Sequence, residues 1–480
     1  MNTVIYIILG IIAAVVALLA VCIIRTLMCK PAKDSVTELE QQETDRARQY
    51  AFKLAELIRC ETVSSRYDSD KTKFYDFHKV LEREFPNVHR VCEKHEFSGN
   101  LLFRWAGRGE GEPIMLMSHH DVVEATGEWS HGAFSGEIAD GCLWGRGTQD
   151  TKGSLFCFLT AVEELIESGY TPACDVYLAS SCTEEFSGEG GPLIAKYLKD
   201  SGVHLRLLLD EGGTILSRPI GGVNGTFALL GVLEKGYGDL KFTAHSTGGH
   251  ASAPKKNSPI VRLGKFVCEI EKHDPFVSRL HPTAREMFER MTPYMGFGMR
   301  LIFCNLWLFE PLLLKLMPAI SSQGAAMLKT TCAFTTCRGS DGLNVLPQSA
   351  YVTANMRFIH HQSTDESIAV MEKIAAKYGL ETSVIYKDYP CPVVDYKSEQ
   401  FALVEQAVRE AYGNIGTCPY PMTAGTDCKF YGEVTDHAIR FAPIYMTAQQ
   451  LASIHGIDEN VTVAALPQAV DFYKALIKKA

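Results

Sequence analysis

The sequence predicts an α/β protein with a mostly parallel sheet flanked by helices and an N-terminal membrane helix. Short apolar runs bounded by glycine or polar residues recur after residue 100, and amphipathic helical patterns separate them. This alternation is typical of parallel strands, since each crossover between them needs a dozen or more residues. An uncharged apolar stretch at the N-terminus is long enough to form the membrane helix.

The first α/β region covers residues 50–234. Its predicted strands are Leu101–Trp105, Ile114–Met117, Val176–Ser180 and Leu205–Leu209. Apolar residues at helical spacing predict helices at Tyr50–Arg59, Gly153–Ser168 and Gly190–Ser201. Catalytic groups of such a domain are expected at the strand ends.

The pattern changes at residue 235 and changes back at residue 389. Between them the sequence predicts a small α/β sandwich with strands Gly238–Ala244, Thr330–Thr336, Ala350–Ile359 and Thr382–Lys387, and helices Ser258–Lys272 and Thr364–Tyr378. Amphipathic helices at Glu399–Tyr412 and Leu466–Lys478 then resemble the opening region. We predict a split main domain, residues 50–234 and 389–480, around an inserted lid or dimerisation domain, residues 235–388.

Residues 1–28 are predicted to be an uncleaved transmembrane anchor, followed by a stalk at residues 29–49. Val4 to Ile24 contains no charge and can cross a hydrocarbon core of about 30 Å. A cleaved signal peptide would have a basic start and a small-x-small site, and neither is evident. Arg25, Lys30 and Lys33 follow the span, so the positive-inside rule favours the cytoplasm for the rest of the chain.

Composition excludes some classes of function. The net charge of -9 provides no basic excess for phosphates, which argues against a nucleic-acid partner. Fifteen cysteines without CxxC spacing favour free thiols and a reducing compartment over a disulfide framework.

An apolar segment, Pro275 to Ile320, stands out inside the insert. Asn305, Glu310 and Lys315 interrupt it, so it lacks the uncharged length of a second span. We expect ordinary core or lid packing there, with the dimer partner, the membrane face or an acyl-chain pocket as alternatives.

The motif Ser118-His119-His120-Asp121 directly follows a predicted strand. A histidine with a carboxylate two residues later offers zinc a neutral imidazole whose tautomer the carboxylate fixes. A purely structural pair would look the same. Only His119 has this spacing to Asp121, so we prefer it to His120.

Three further motifs are acidic and a fourth contains a histidine. Asp150 precedes a helix and could simply cap it, Glu184-Glu185 and Asp210 each follow a strand, and His455 lies in a distant loop. Each is ordinary alone. Together they predict a bound cation, because uncompensated buried charges are expensive.

This ordered set resembles the co-catalytic zinc metallopeptidases that include aminoacylase, carnosinase, carboxypeptidase G and carboxypeptidase S. The likeness runs from Tyr50 to the C-terminus and is greatest to carboxypeptidase S and the N-acyl-amino-acid hydrolases. It implies that Glu184 is the general base and Asp121 orients His119. The implied metal ligands are His119 and Asp210 for one zinc, Glu185 and His455 for the other, and Asp150 as the bridge.

The resemblance also implies substrate-side residues. His250 would hold the scissile carbonyl oxygen, commonly from the dimer partner, which would make the protein a homodimer through the insert. Asn344 and Arg357 would grip the substrate carboxylate, and Gly425 and Thr426 belong to another substrate-side loop.

The implied reaction is hydrolysis of the amide bond of dipeptides or N-acyl amino acids that carry a free carboxylate. It would use two zinc ions per subunit, for which cobalt or manganese could substitute. Alternatives are deacetylation or desuccinylation on the same site, and a metal-free relative that only captures such molecules.

Overall fold

The computed structural model describes residues 2–32, Leu39 and residues 41–480. Residues 33–38 and 40 of the predicted stalk, including Lys33, lie outside the described residues. The first element is the helix α1 (Asn2–Met28). It is long and apolar enough to span a membrane or to act as a signal sequence, and only 6% of its most apolar window is buried.

The first part of the main domain agrees with the predicted alternation of strands and helices. Its elements are α2 (Asp45–Ile58), α3 (Thr72–Glu84), α4 (Pro86–Val91), β1 (Glu93–Phe97), β2 (Asn100–Trp105), β3 (Ile114–His119), β4 (Glu137–Ala139), β5 (Cys142–Trp144), α5 (Lys152–Glu167), β6 (Val176–Ser181), α6 (Gly190–Asp200), β7 (Leu207–Asp210), β8 (Ile215–Ser217) and β9 (Thr226–Glu234).

The insert and the returning part of the main domain follow. The insert contains β10 (Gly236–His245), β11 (Gly249–His250), α7 (Pro259–Lys272), α8 (Pro282–Met291), α9 (Phe297–Phe303), α10 (Leu306–Ile320), α11 (Ser322–Leu328), β12 (Thr331–Arg338), β13 (Val345–Leu346), β14 (Ser349–Phe358), α12 (Thr364–Lys377) and β15 (Glu381–Lys387). The chain then forms α13 (Glu399–Tyr412), β16 (Gly416–Met422), β17 (Ala438–Arg440), β18 (Tyr445–Met446), α14 (Ala448–Ser453), β19 (Asn460–Thr462) and α15 (Leu466–Lys479).

One large sheet forms the main domain, with strand order β1-β2-β6-β3-β7-β17-β9-β8-β18 and β16 paired to β9. Its central strands β6, β3, β7 and β17 are parallel, and antiparallel pairs occur toward the edges. The mostly parallel α/β fold predicted from the sequence is therefore confirmed.

The central strands are buried on both faces, which explains their continuous apolar sequences. In β3, Ile114 and Leu116 contact the large core beneath α2, α5, α13 and α15. Met115 and Met117 alternate to the opposite face and pack in a second cluster with residues of α6. Because both faces are filled, the polar groups that follow these strands lie beyond the carboxyl ends of the strands.

The insert forms its own four-stranded antiparallel sheet, in the order β12-β14-β10-β15. Phe266 of α7 and Met371 of α12 pack on this sheet in a separate core. The apolar segment at residues 275–320 lies outside this sandwich. Its helices pack instead on the far strands of the main sheet, in a cluster that includes Phe227 and Phe288.

Candidate active site

The carboxyl ends of β3, β6 and β7 meet at one edge of the main sheet, and acidic or histidine side chains follow each of them. His119 is the last residue of β3 and Asp210 the last of β7. Glu184 and Glu185 form a short 3-10 helix that begins three residues after β6. The strand pairing alone therefore brings these predicted residues together.

Asp150 lies between two histidines that are far apart in the sequence. Its Oδ1 is 3.0 Å from Nε2 of His119, and its Oδ2 is 2.9 Å from Nε2 of His455. One carboxylate with a histidine on each oxygen has the arrangement of a bridging ligand.

Three glutamates complete this group. Glu211 Oε1 is 3.3 Å from Nε2 of His119, and Glu184 Oε2 is 3.9 Å from the same atom. Glu185 Oε2 is 3.2 Å from Nε2 of His455. Each histidine thus faces Asp150 and at least one glutamate through the same ring nitrogen.

The other ring nitrogen of His119 fixes its orientation. Nδ1 is 2.8 Å from the backbone carbonyl oxygen of Asp121 and 3.4 Å from its Oδ1, so Nδ1–H donates to Asp121 and the ring directs Nε2 toward the carboxylates. The Asp121 carboxylate also accepts the backbone N–H groups of Glu184 and Glu185, both at 3.2 Å. Asp121 therefore positions the glutamates as well as the histidine.

His120 faces away from this group. Its ring stacks on Phe77 with centroids 5.1 Å apart, and its Nδ1 is 2.8 Å from the hydroxyl of Ser180. Of the two neighbouring histidines, the structure brings only His119 to Asp150.

The structure differs from the sequence-based prediction at Asp210. Its Oδ1 accepts the N–H of Glu211 at 2.9 Å and its Oδ2 accepts that of Cys428 at 3.1 Å, whereas the next side chain, Glu211, reaches His119. Successive residues near a strand end point in opposite directions, so only one of the two acids can face the histidines. The prediction that Asp210 faces the histidines is therefore wrong, and Glu211 faces His119 instead.

Close packing of the backbone explains why a glycine, Gly213, follows these acids. A Cβ atom there would lie 2.0 Å from the carbonyl oxygen of Leu229 and 2.6 Å from that of Arg440. Only glycine allows the chain to pass so close to two strands, which fixes the path of the chain just after Glu211.

The pKa values show the cost of burying these carboxylates together. Burial raises the pKa of Glu211 to about 8, despite the opposing effect of His119, with Asp150 and Asp210 contributing repulsion. Burial likewise raises the pKa of Glu184. Hydrogen bonds to Asp150 and Glu185 raise the pKa of His455 to about 10. Four carboxylates, those of Asp150, Glu184, Glu185 and Glu211, thus face only two histidines.

The donor set fits divalent metal ions. His119, Glu184 and Glu211, and likewise His119, Asp150 and Glu185, present ligand atoms that all lie within 4.8 Å of one another. Imidazole and carboxylate donors are typical ligands of zinc and its neighbours, and a cation would relieve the carboxylate repulsion.

The comparisons with known proteins agree with this geometry. Residues 115–479 match the profile of Peptidase family M20/M25/M40. This chain belongs to that family. It is a metallopeptidase, and its curated relatives include carboxypeptidase S-like proteins.

Two relatives align over most of their lengths. "Probable carboxypeptidase S-like 2" of Dictyostelium discoideum is 32% identical over 93% of this chain and 86% of its own. Human "N-fatty-acyl-amino acid synthase/hydrolase PM20D1" is 32% identical over 90% of this chain and 88% of its own. The M20 metallo-carboxypeptidase Sso-CP2 from Sulfolobus solfataricus shares the fold, with a TM-score of 0.67, 15% identity, and coverage of 90% of this chain and 98% of that one.

A cavity of about 510 Å³ separates the acidic group from the insert. Glu184, Glu185 and His455 line one side, and Arg357 of β14 lines the other. The guanidinium of Arg357 lies over the ring of Tyr237, 4.6 Å from its centroid, and no carboxylate pairs with it in the described part of the chain. Gly425 also lines the cavity, as predicted for a substrate-side loop.

Three predicted substrate-side residues lie elsewhere in this chain. The Thr426 side chain is buried and donates to Glu234 at 3.0 Å. His250 pairs with Val345 in the exposed ladder of β11 and β13, and the carbonyl of Asn344 accepts the N–H of Ala251. Of these three, none lines the cavity between the domains.

Arg146 and Glu459 were assigned no role from the sequence, yet they support the loop that carries Asp150. They form a fully buried ion pair at 2.7 Å, and Glu459 also accepts the N–H groups of Gly147, Gln149 and Asp150. This pair ties the Asp150 loop to the segment that carries His455. Glu459 is four residues after His455, but its partner is 313 residues away.

Glu459→Gln should therefore destabilise the protein and weaken the site. Arg146 would be left as an unpaired buried charge, at a cost of about 3 kcal/mol. The free energy of unfolding, measured with denaturant, and the metal content should both be lower than in the wild type. The matched control Glu433→Gln removes an exposed carboxylate that pairs with Lys199 and should change neither measurement. Equal effects of the two variants would contradict this role of Glu459.

Proposed function

We propose that the protein hydrolyses the amide bond of dipeptides or N-acyl amino acids that carry a free carboxylate, with two zinc ions as cofactors. The observation that carries the proposal is Asp150, shared between His119 and His455 beside Glu184. The names of two relatives, carboxypeptidase S and N-fatty-acyl-amino acid synthase/hydrolase, support this substrate class.

Five residues would hold the metals. His119 and Glu211 would bind one zinc, Glu185 and His455 the other, and Asp150 would bridge them. When bound, the ions polarise the scissile carbonyl and lower the pKa of the attacking water. Cobalt or manganese could substitute, since the donors are nitrogen and oxygen atoms.

Glu184 is the group best placed to move protons. Its Oε2 lies 3.9 Å from Nε2 of His119, beyond hydrogen-bond distance, whereas Glu211 Oε1 lies at 3.3 Å and Asp150 Oδ1 at 3.0 Å from the same nitrogen. Burial raises the pKa of Glu184 well above the usual value for a glutamate, which makes it a stronger base toward water. It would take a proton from water and return it to the leaving amine.

Arg357 would bind the substrate carboxylate. It lies across the cavity from Glu184, and a planar guanidinium suits bidentate binding of a carboxylate. His250 and Asn344 lie outside the cavity of their own chain, so their predicted roles require delivery by a second subunit through the insert. A homodimer is therefore part of the proposal.

We also propose that α1 is an uncleaved anchor. Two of its residues, Cys22 and Thr26, are buried against the insert, and the fully buried amide of Asn305 donates to Cys22 O at 3.1 Å. A segment removed on export would leave this buried contact without its partner. The positive residues after α1 favour the cytoplasm for the catalytic part.

A deacetylase or desuccinylase on the same residues is the alternative. A panel of dipeptides, long-chain N-acyl amino acids, N-acetyl and N-succinyl amino acids distinguishes the two. Turnover confined to the acetyl or succinyl compounds would favour the alternative.

Glu184→Gln should keep its metal and lose turnover. Removal of a general base typically lowers kcat by about 10² to 10⁴-fold. Metal analysis of the purified variant should match the wild type. Glu189→Gln, which changes an exposed glutamate of the same loop, should retain activity. A variant at Glu184 with wild-type kcat would disprove the assignment.

Asp210 and Glu211 can be separated by metal content. Glu211→Gln should lower the bound zinc from two per chain toward one, because it removes a ligand. Asp210→Asn should keep both ions, because Asp210 binds backbone N–H groups, and should mainly lower the unfolding temperature. The opposite pattern would restore Asp210 as the ligand.

Arg357→Ala should raise KM for substrates with a free carboxylate by about 10 to 100-fold, because the substrate loses a hydrogen bond between charged groups. The same substrate with a carboxamide should be cleaved equally by wild type and variant. Arg338→Ala, an exposed arginine on β12, is the control. A uniform loss with both substrates would mean that Arg357 supports structure instead.

A further inference from the structure

Helices α9 and α10 form a bent apolar pair in the insert. Taken together, the two helices are long and apolar enough for a membrane span, but they meet at an angle of 102°. A bent pair of this kind cannot cross a bilayer as one straight helix. It has the shape of an element that dips into a membrane surface and returns.

One face of α10 is apolar and exposed. Leu312, Leu316 and Ile320 recur every fourth residue along this face, and between 48% and 79% of each is exposed. Trp307, in the first turn of α10, is 52% exposed on another side of the helix. Phe297 at the start of α9 is also half exposed. Contiguous apolar surfaces of this kind on folded proteins usually contact another protein or a membrane.

This face lies beside the proposed anchor. The Asn305 amide, between α9 and α10, donates to Cys22 O and lies 3.3 Å from the hydroxyl of Thr26. The Arg25 guanidinium donates to Cys304 O, and Ala32 N–H donates to Pro293 O at 2.9 Å. The last turns of α1 are thus packed against the bent pair.

The position of this contact along α1 sets the height of the membrane. From Val4 to Cys22 the helix rises about 27 Å at 1.5 Å per residue, close to the roughly 30 Å thickness of a hydrocarbon core. The contact at Cys22 and Thr26 therefore falls where the hydrocarbon ends. The start of α10, with Trp307, is at the depth where tryptophan is enriched in membrane proteins.

We propose that α9 and α10 lie in the surface of the phospholipid bilayer that α1 spans, with Leu312, Leu316 and Ile320 in contact with acyl chains and Trp307 at the boundary between acyl chains and headgroups. The inference rests on the proposed anchor. It adds a second membrane contact, made by the insert that also supplies Arg357 to the cavity.

The groove beside α10 favours lipid as the occupant. It encloses about 450 Å³, and Leu312, Leu316 and Ile320 of the exposed face also line it, opposite Met299 and Ile302 of α9. One positive side chain, Lys315, shares the exposed face and can extend to the headgroups. Continuity with α1 argues for the bilayer over a second protein copy.

Tryptophan quenching by brominated lipids tests the proposal on the full chain. The chain has four tryptophans, and Trp307 is the only one in α9 and α10, while α1 contains none. The protein is reconstituted into phosphatidylcholine vesicles with or without brominated acyl chains. Bromination should lower the emission by up to the share of one tryptophan in four.

Trp307→Phe should abolish this decrease, whereas Trp144→Phe, in the main domain, should preserve it. Leu316→Glu should reduce the quenching of Trp307 while the protein still floats with the vesicles. Unfolding temperatures of the variants should match the wild type, which confirms that they fold.

Flotation separates the two proposals. Protein that floats with the vesicles but shows no dependence on bromination would overturn the membrane contact of α10 and leave the anchor intact. Trp307 shielded from both brominated lipid and aqueous acrylamide would overturn it in favour of a protein partner. Protein that does not float would overturn the anchor, and the inference with it.

Discussion

The arrangement of the site follows from the cost of burying many carboxylates at one edge of a sheet. Asp121 and Asp210 are satisfied by backbone N–H donors, and Glu459 by backbone groups and Arg146. Asp150 and Glu211 accept from no backbone N–H in the described part of the chain, and their oxygens face histidine nitrogens. A buried carboxylate needs either hydrogen-bond donors or a compensating cation. The acids with backbone donors therefore hold the loops in place, whereas those without them have charge left for a cation.

The sequence predicted the fold well because periodicity and strand-end chemistry are local. The strands before His119 and Glu184 both appear in the structure close to their predicted limits. Proline explains one omission: β16, Gly416–Met422, contains two prolines and yet pairs with β9. Prolines count against a strand in sequence analysis, although edge positions tolerate them.

The parts that could not be predicted depend on contacts distant in the chain. The choice between Asp210 and Glu211 is made by the N–H of Cys428, 218 residues later. The ion pair of Arg146 and Glu459 spans 313 residues. No local pattern encodes either contact. The positions of His250 and Asn344 depend on how subunits or domains meet, which a single sequence does not specify.

The loop that carries His455 depends on both the main domain and the insert. His455 itself has a φ of 61°, a left-handed conformation that is uncommon for residues other than glycine and needs support from its surroundings. On one side, Arg146 donates to the carbonyl of Gly456 at 2.8 Å. On the other, Ile454 packs against the apolar cluster that fastens α8–α11 to the main sheet. The loop of His455 is therefore braced by the same apolar cluster that supports α9 and α10, so the packing of these helices and the position of His455 are physically connected.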